Sequence, residues 1–348
     1  MESFIRFFTE EKKPYRIICF YHADDVLQDQ PVNNHLGMME VMNKGSKKSG
    51  VEIHFADYVG SYLSEKNGKT ILHSLVIDEK NGHYIKPDLK TKETNYLTTE
   101  LDQENDIILY RDLPTRNPKR RWGDLIKELE LKNFTIINPM ECYDICASKY
   151  LTDVFLKEHN LRTPKTTYIT HISDSERAFN SLNTKFPVVL KASAGSQTGI
   201  GVVILESMRS LDATVQMCQY IDVPMVVQEY IKIDYDVRVI VLDGKVVGAM
   251  KRKVMTDDFR SNVSLGAESE MIKLTDIEER DSITAASAVK GRLVGVDFLP
   301  AKDRPYILEV NATPGFTGIE EIHNGLVAEI MTYFKNRDNW NLDKSTEV

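Results

Sequence analysis

The sequence has 348 residues, with 44 Lys plus Arg against 52 Asp plus Glu, and a formal net charge of −8. Hydrophobic residues at 42% and charged residues at 28% match a globular protein and exclude wholesale disorder. An acidic chain is a poor partner for nucleic-acid phosphates, so no nucleic-acid binding is expected.

No run reaches the roughly 18 apolar residues of a membrane helix, so no membrane partner is expected. The opening MESFIRFFTEEKKP carries Glu2, Glu10 and Glu11 around a short apolar run, unlike a signal peptide, and a cytoplasmic protein is expected. Four cysteines are too few for a disulfide scaffold. Cys142 and Cys146, four apart, share a helix face and read as free thiols.

In chain order, Tyr15–Phe20, Val51–Phe55, Asp106–Tyr110 and Phe134–Ile137 read as strands of a small α/β unit. The segment Arg111–Trp122 holds Arg111, Arg116, Lys119, Arg120 and Arg121. It reads as a solvated loop or as a docking site for an acidic partner. Cys142–Asn160 has helical spacing, stopped by Pro164. Strands follow at Pro187–Lys191, Gly201–Leu205 and Met225–Gln228. Val237–Leu242 and Lys245–Met250 bracket Asp243-Gly244, a hairpin signal. Leu293–Leu299 and Tyr306–Asn311 flank a polar turn, and the last dozen residues read as a loose tail.

Four stretches carry chemistry. Alternation on a strand puts Glu309 and Asn311 on one face, with Leu308 and Val310 on the other. If the two strands pair around a turn near Asp303, Asp297 lies opposite Glu309. Facing carboxylates repel unless a hard divalent cation joins them, and magnesium suits the set. The alternative is a chance pair of solvent-facing acids. Lys191 opens a loop with Gly195, Gly199 and Gly201 whose N–H groups suit phosphates, or which is a plain hairpin turn. Asp258-Phe-Arg-Ser-Asn262 offers Arg260 and Asn262, preceded by Arg252, and Asp236 and Arg238 share a strand face. These are also readable as surface ion pairs. Gln228-Glu229-Tyr-Ile231 ends an apolar strand and suits an adenine, or is simply a strand end.

The order of these signals from Lys149 to Gly315 resembles the ATP-grasp superfamily, and within it the RimK-type ligases that add glutamate to a ribosomal protein. Asp-Phe-Arg-Ser-Asn and Glu-Val-Asn-Ala-Thr-Pro-Gly carry the resemblance, which covers Ala147 to about Ile330. It implies an α/β (α+β) ATP-grasp fold, with two subdomains clasping ATP behind an N-terminal α/β domain. The expected boundaries are 1–140, 141–231, 232–335, and a polar tail over 336–348. Lys149 and Lys191 match lysines on the ATP phosphates. Gln228, Glu229 and Ile231 match the adenine hinge, with Glu229 as its polar ligand. Asp236 and Arg238 match a pair near ribose and substrate, and Gly199 belongs to the phosphate loop. Arg252, Arg260 and Asn262 match positions facing an acyl-phosphate, and Asp297, Glu309 and Asn311 match magnesium ligands.

The resemblance further implies an ATP-dependent carboxylate-amine ligase using ATP and two Mg²⁺, or Mn²⁺. An amino acid, glutamate by resemblance, is joined to a peptide, protein or small-molecule carboxylate, and ADP and phosphate are released. The glycine loop and Thr256–Gly266 are expected to close over the acyl-phosphate. A dipeptide or glutathione-type ligase, a kinase acting on a hydroxyl, and a non-catalytic ATP-binding regulator remain open, as does homo-oligomer against monomer.

Overall fold

The computed structural model describes residues 15–21, 35–57, 61–75, 96–111, 123–193, 201–253 and 269–340. Gly199, Arg260, Asn262, the segment 256–266 and most of the basic segment, 112–122, lie outside the described residues.

The N-terminal part holds β1 (Arg16–Tyr21), α1 (His35–Ser49), β2 (Glu52–Asp57), β3 (Tyr62–Lys66), β4 (Lys69–Leu75), β5 (Tyr96–Glu100), β6 (Asp106–Tyr110), α2 (Gly123–Leu131) and β7 (Thr135–Ile137). Strands β2-β1-β6-β7 form a parallel sheet. The central strands β1 and β6 carry continuous apolar runs, Ile17–Tyr21 and Ile107–Tyr110, because both of their faces are covered. Ile17, Cys19, Tyr21, Ile107 and Leu109 enter one core, and Ile18, Phe20, Ile108 and Tyr110 enter another. Strands β3-β4-β5 form a separate antiparallel sheet that the sequence pattern does not announce. Lys, Thr, Ser and Glu dilute its alternation, and among the described side chains Leu63, Leu72, Ser74 and Thr99 share one face.

The expected single helix over Cys142–Asn160 is two: α3 (Met140–Cys146) and α4 (Lys149–Glu158). Ser148 breaks the run and caps the second, its hydroxyl accepting from Leu151 N–H at 3.2 Å. Next come β8 (Thr166–Ile169), α5 (Ser175–Ser181), β9 (Val188–Ala192), β10 (Val202–Leu205), α6 (Met208–Tyr220) and β11 (Met225–Glu229). The antiparallel sheet β10-β9-β11-β8 packs one face on Leu211 and Val215 of α6. Its opposite face presents the cross-strand row Val202, Lys191, Val226 and Tyr168.

The last part holds β12 (Tyr235–Leu242), β13 (Lys245–Lys253), β14 (Ser269–Met271), α7 (Asp276–Ala288), β15 (Leu293–Leu299), β16 (Tyr306–Asn311), α8 (Thr317–His323) and α9 (Leu326–Tyr333). Asp243 and Gly244 both have positive φ, 42° and 72°, as a two-residue hairpin with the right twist requires. The sheet β14-β13-β12-β15-β16 buries Val237, Val239, Val241, Val294, Val296 and Phe298 against α7.

The other face of that sheet is divided. At one end Ile240, Leu242, Met250 and Leu293 share a core with Ile17, Met42, Ile107 and Phe316. The N-terminal sheet, α1, α8, α9 and the C-terminal sheet therefore share one apolar core. At the other end the same face carries charged groups instead.

Two local expectations change. A bulge between Asp297 and Phe298 pairs Phe298 with Ile307, so Ile307 joins Val310 in the core and Leu308 does not. The tail is not loose throughout: Arg337–Trp340 is a 3₁₀ turn with Trp340 buried edge-on against Tyr15.

Candidate active site

The charged end of the C-terminal sheet starts from strand alternation. Asp236 and Arg238 on β12, Arg252 on β13, Asp297 on β15, and Glu309 and Asn311 on β16 share one face. The pairing brings Asp297 opposite Glu309, the register expected from the sequence. It also sets Arg252 opposite Asp236 and Arg238 opposite Asp297.

The side chains form a ladder of alternating charge. Arg252 Nε donates to Asp236 Oδ1 at 2.8 Å, and its Nη2 to Asp236 Oδ2 at 2.6 Å. The same Nη2 lies 3.3 Å from Asp297 Oδ2. Arg238 grips Asp297 from the other side, Nε to Oδ1 at 2.8 Å and Nη2 to Oδ2 at 2.6 Å. Asp236, Arg252 and Asp297 are buried, and Arg238 is the more open, at 17% side-chain exposure. Burial opposes the charge on Asp297, but Arg238 and then Arg252 outweigh it and hold the carboxyl far below the usual carboxylate range. Burial likewise opposes the charge on Arg252, and Asp297 and Asp236 keep it protonated.

Glu309 stands directly across the strand pair from Asp297, and Asn311 Nδ2 donates to Glu309 Oε1 at 3.2 Å. Two carboxylates paired across neighbouring strands, with an amide beside them, form an oxygen-donor set that a hard cation stabilises. Among the described residues no group of three or more His, Cys, Asp or Glu could hold a metal. The open set instead suits magnesium, which takes one or two carboxylates and completes its shell with phosphates and water. The residues present fit that ion.

Across from this face stand the lysines. Lys191 Nζ donates to Gln228 Oε1 at 2.7 Å, and Gln228 Nε2 donates to Thr166 Oγ1 at 2.8 Å. Lys149 starts α4, and its N–H donates to the Ser193 carbonyl at 2.8 Å, tying the helix to the start of the glycine loop. Burial pushes the Lys191 ammonium down to about 8; Glu309 opposes the shift and Lys149 adds to it. Lys191 therefore lies within electrostatic reach of Lys149 on α4 and of Glu309 on the C-terminal sheet.

That value carries a pH prediction. A lysine that holds phosphate must be protonated, so kcat/KM for ATP should be flat at neutral pH and fall as pH rises through about 8. In Lys191→Arg the fall should vanish, because guanidinium keeps its proton. A pH profile in which both proteins fall together would remove Lys191 from the role.

Several matched residues have partners within the protein. Glu229 turns its carboxylate onto Lys165 N–H at 2.8 Å, at the start of β8, so its side chain is engaged by backbone. Asp236 is held by Arg252 on the neighbouring strand. Ile231 follows β11 and is half-buried. Arg111, from the basic segment, is a buried anchor: its Nη2 donates to the carbonyls of Thr313, at 3.3 Å, and Pro314, and the guanidinium lies 5.1 Å from the Phe316 ring centroid. Asn138 was not singled out in the sequence, though Asn-Pro directly after a strand was a visible signal.

A family model of the RimK-like ATP-grasp domain matches residues 146–334. The chain belongs to the RimK-like ATP-grasp family. It is thus an ATP-dependent ligase that joins a carboxylate to an amine. A "Probable alpha-L-glutamate ligase" of Vibrio vulnificus (strain YJ016) is 26% identical over 260 residues, 68% of this chain and 86% of the relative. Two solved structures share the fold. D-alanine–D-alanine ligase from Bacillus anthracis, complexed with ATP, has a TM-score of 0.61 at 17% identity, covering 94% of this chain and 98% of its own. A Chryseobacterium gregarium RiPP-associated ATP-grasp ligase, in complex with ADP and a leader and core peptide, has a TM-score of 0.62 at 15% identity, covering 93% and 97%. The RimK-like match begins at the helix that carries Lys149 and runs past the strands of the charged face.

Proposed function

We propose that this ligase joins glutamate to the carboxylate of a peptide or protein, through an acyl-phosphate, releasing ADP and phosphate. The carrying observation is the meeting of two unlike sheet faces. One bears Lys191, with Lys149 beside it, and the other bears Asp297, Glu309 and Asn311. That pairing suits a nucleotide triphosphate held between them. The glutamate and the peptide rest on the likeness to a named glutamate ligase and to a peptide-bound ligase.

In this reading Lys149 and Lys191 hold the phosphate oxygens, and the backbone of 229–231 reads the adenine. Asp297, Glu309 and Asn311 would hold two magnesium ions. Bound there, magnesium supplies charge neutralisation for phosphoryl transfer. The acceptor carboxylate attacks the γ-phosphate, ADP leaves, and the amine then attacks the acyl carbon and expels phosphate. Arg238, the most open member of the ladder, is placed to receive an anionic group from the substrate. Arg260 and Asn262 would stabilise the tetrahedral intermediate.

The test is a panel of the twenty amino acids against peptides ending in free carboxylates, read by phosphate release and product mass. Glutamate with a peptide should release phosphate and add one glutamyl residue per turnover. Release that needs only free amino acids, with no peptide extended, would favour a dipeptide-type ligase. ADP without free phosphate would mean transfer to a hydroxyl.

A further inference from the structure

We propose that Arg111 and Asn138, both from the N-terminal sheet, are positioning residues for the Glu309–Asn311 strand end. The inference rests on the ligand assignment above.

Arg111 is the first residue after β6, and Asn138 the first after β7. These strands are parallel neighbours, so their ends stand roughly 5 Å apart. That spacing lets the two side chains address consecutive carbonyls of another segment. Asn138 Nδ2 donates to Ala312 O at 2.6 Å, while Arg111 Nη2 donates to Thr313 O and Pro314 O. The three carbonyls directly follow Asn311.

Asn138 does more than hold one end. Its Nδ2 also donates to Leu293 O at 2.8 Å, and its Oδ1 accepts from Arg292 N–H at 2.7 Å and Leu293 N–H at 2.8 Å. Both donors and both acceptor positions of the amide are used. One buried side chain thus joins the start of β15 to the end of β16, the strands carrying Asp297 and Glu309. The held segment also presses on the site. A Cβ placed on Gly295 would lie 3.0 Å from Pro314 Cβ and 3.9 Å from Arg238 Nε. A shift of Pro314 would therefore be felt beneath Arg238 and beside Asp297.

Burying a guanidinium against carbonyls and a ring is costly unless its hydrogen bonds are kept. Arg111 spends that cost on the backbone next to the ligands rather than on an ion pair at the surface. The N-terminal sheet thereby sets the geometry of the catalytic face as well as covering an apolar core.

The experiment uses the full chain and Arg111→Lys, Asn138→Ser, Glu309→Gln and Val327→Ala. Val327 is a buried apolar side chain of the shared core and makes none of these hydrogen bonds, so it reports simple loss of packing. Each protein is titrated with Mn²⁺ in the presence of ADP, read by the electron paramagnetic resonance signal of free Mn²⁺, and its Tm, kcat and amino-acid KM are measured. Arg111→Lys and Asn138→Ser should each weaken Mn²⁺ affinity and lower kcat by about 10–100-fold, with KM for the amino acid within twofold. Val327→Ala should lower Tm without moving Mn²⁺ affinity. Folded Arg111→Lys with parental Mn²⁺ affinity and kcat overturns the proposal, as does Val327→Ala matching its Mn²⁺ loss. If Glu309→Gln keeps full Mn²⁺ affinity, the ligand assignment itself falls.

Discussion

Replacing Asp297 by Asn is expected to lower amino-acid-dependent phosphate release by at least about 10³-fold, or about 4 kcal/mol of barrier. Two losses combine. The amide cannot serve as an anionic cation ligand beside Glu309. It also keeps only one acceptor oxygen for the three nitrogens that Arg238 and Arg252 direct at the carboxylate, and it removes their shared counter-charge. Breaking a buried ion pair costs about 3–5 kcal/mol, against about 5–15 kcal/mol for a whole domain. The variant should remain folded at 25 °C with a lower Tm. Glu309→Gln is the informative companion. Glu309 is half-buried and outside the arginine ladder, so it should lose turnover with little change in Tm. Full phosphate release by folded Asp297→Asn would sink the metal assignment.

The face that makes this prediction possible was legible because strands have a period of two. Asp297, Glu309 and Asn311 needed only alternation and a turn near Asp303 to be placed together, and the register follows that expectation. What alternation cannot show is a bulge, and the extra residue moved Leu308 out of the core in favour of Ile307. Nor can it show which charge a charge meets. Glu229 reads as an adenine ligand in a motif, yet its carboxylate finds an N–H on a neighbouring strand 64 positions away in sequence. Arg111 sat in a basic run that suggested a surface, and its partners lie 202 and 203 residues further on. Long-range partners of this kind leave no local period. The β3-β4-β5 sheet escaped for a different reason: one face sets buried Ile71 among Ser64 and Glu100, and the other mixes Leu63 and Leu72 with Ser74 and Thr99, so neither face alternates cleanly.

Arg252 separates two readings of the same residue. The motif placed it facing the acyl-phosphate, whereas its guanidinium is 3% exposed and committed to Asp236 and Asp297. Arg252→Met should destabilise the fold by about 3–5 kcal/mol, because buried Asp236 and Asp297 both lose the Arg252 charge. Adding Asp236→Leu should recover most of that loss, since a buried pair can often be replaced by apolar residues at little net cost. Denaturant unfolding followed by circular dichroism measures both. In the double variant Asp297 keeps the bidentate Arg238, so the metal face survives with one guanidinium fewer. Turnover should then fall by only about tenfold, the size of a positioning effect. A direct contact to the acyl-phosphate would instead cost about 10²–10³-fold in kcat, as removal of an oxyanion donor does. A stable double variant with unaltered Mn²⁺ affinity and a loss of that larger size would move Arg252 from the ladder to the reacting atoms.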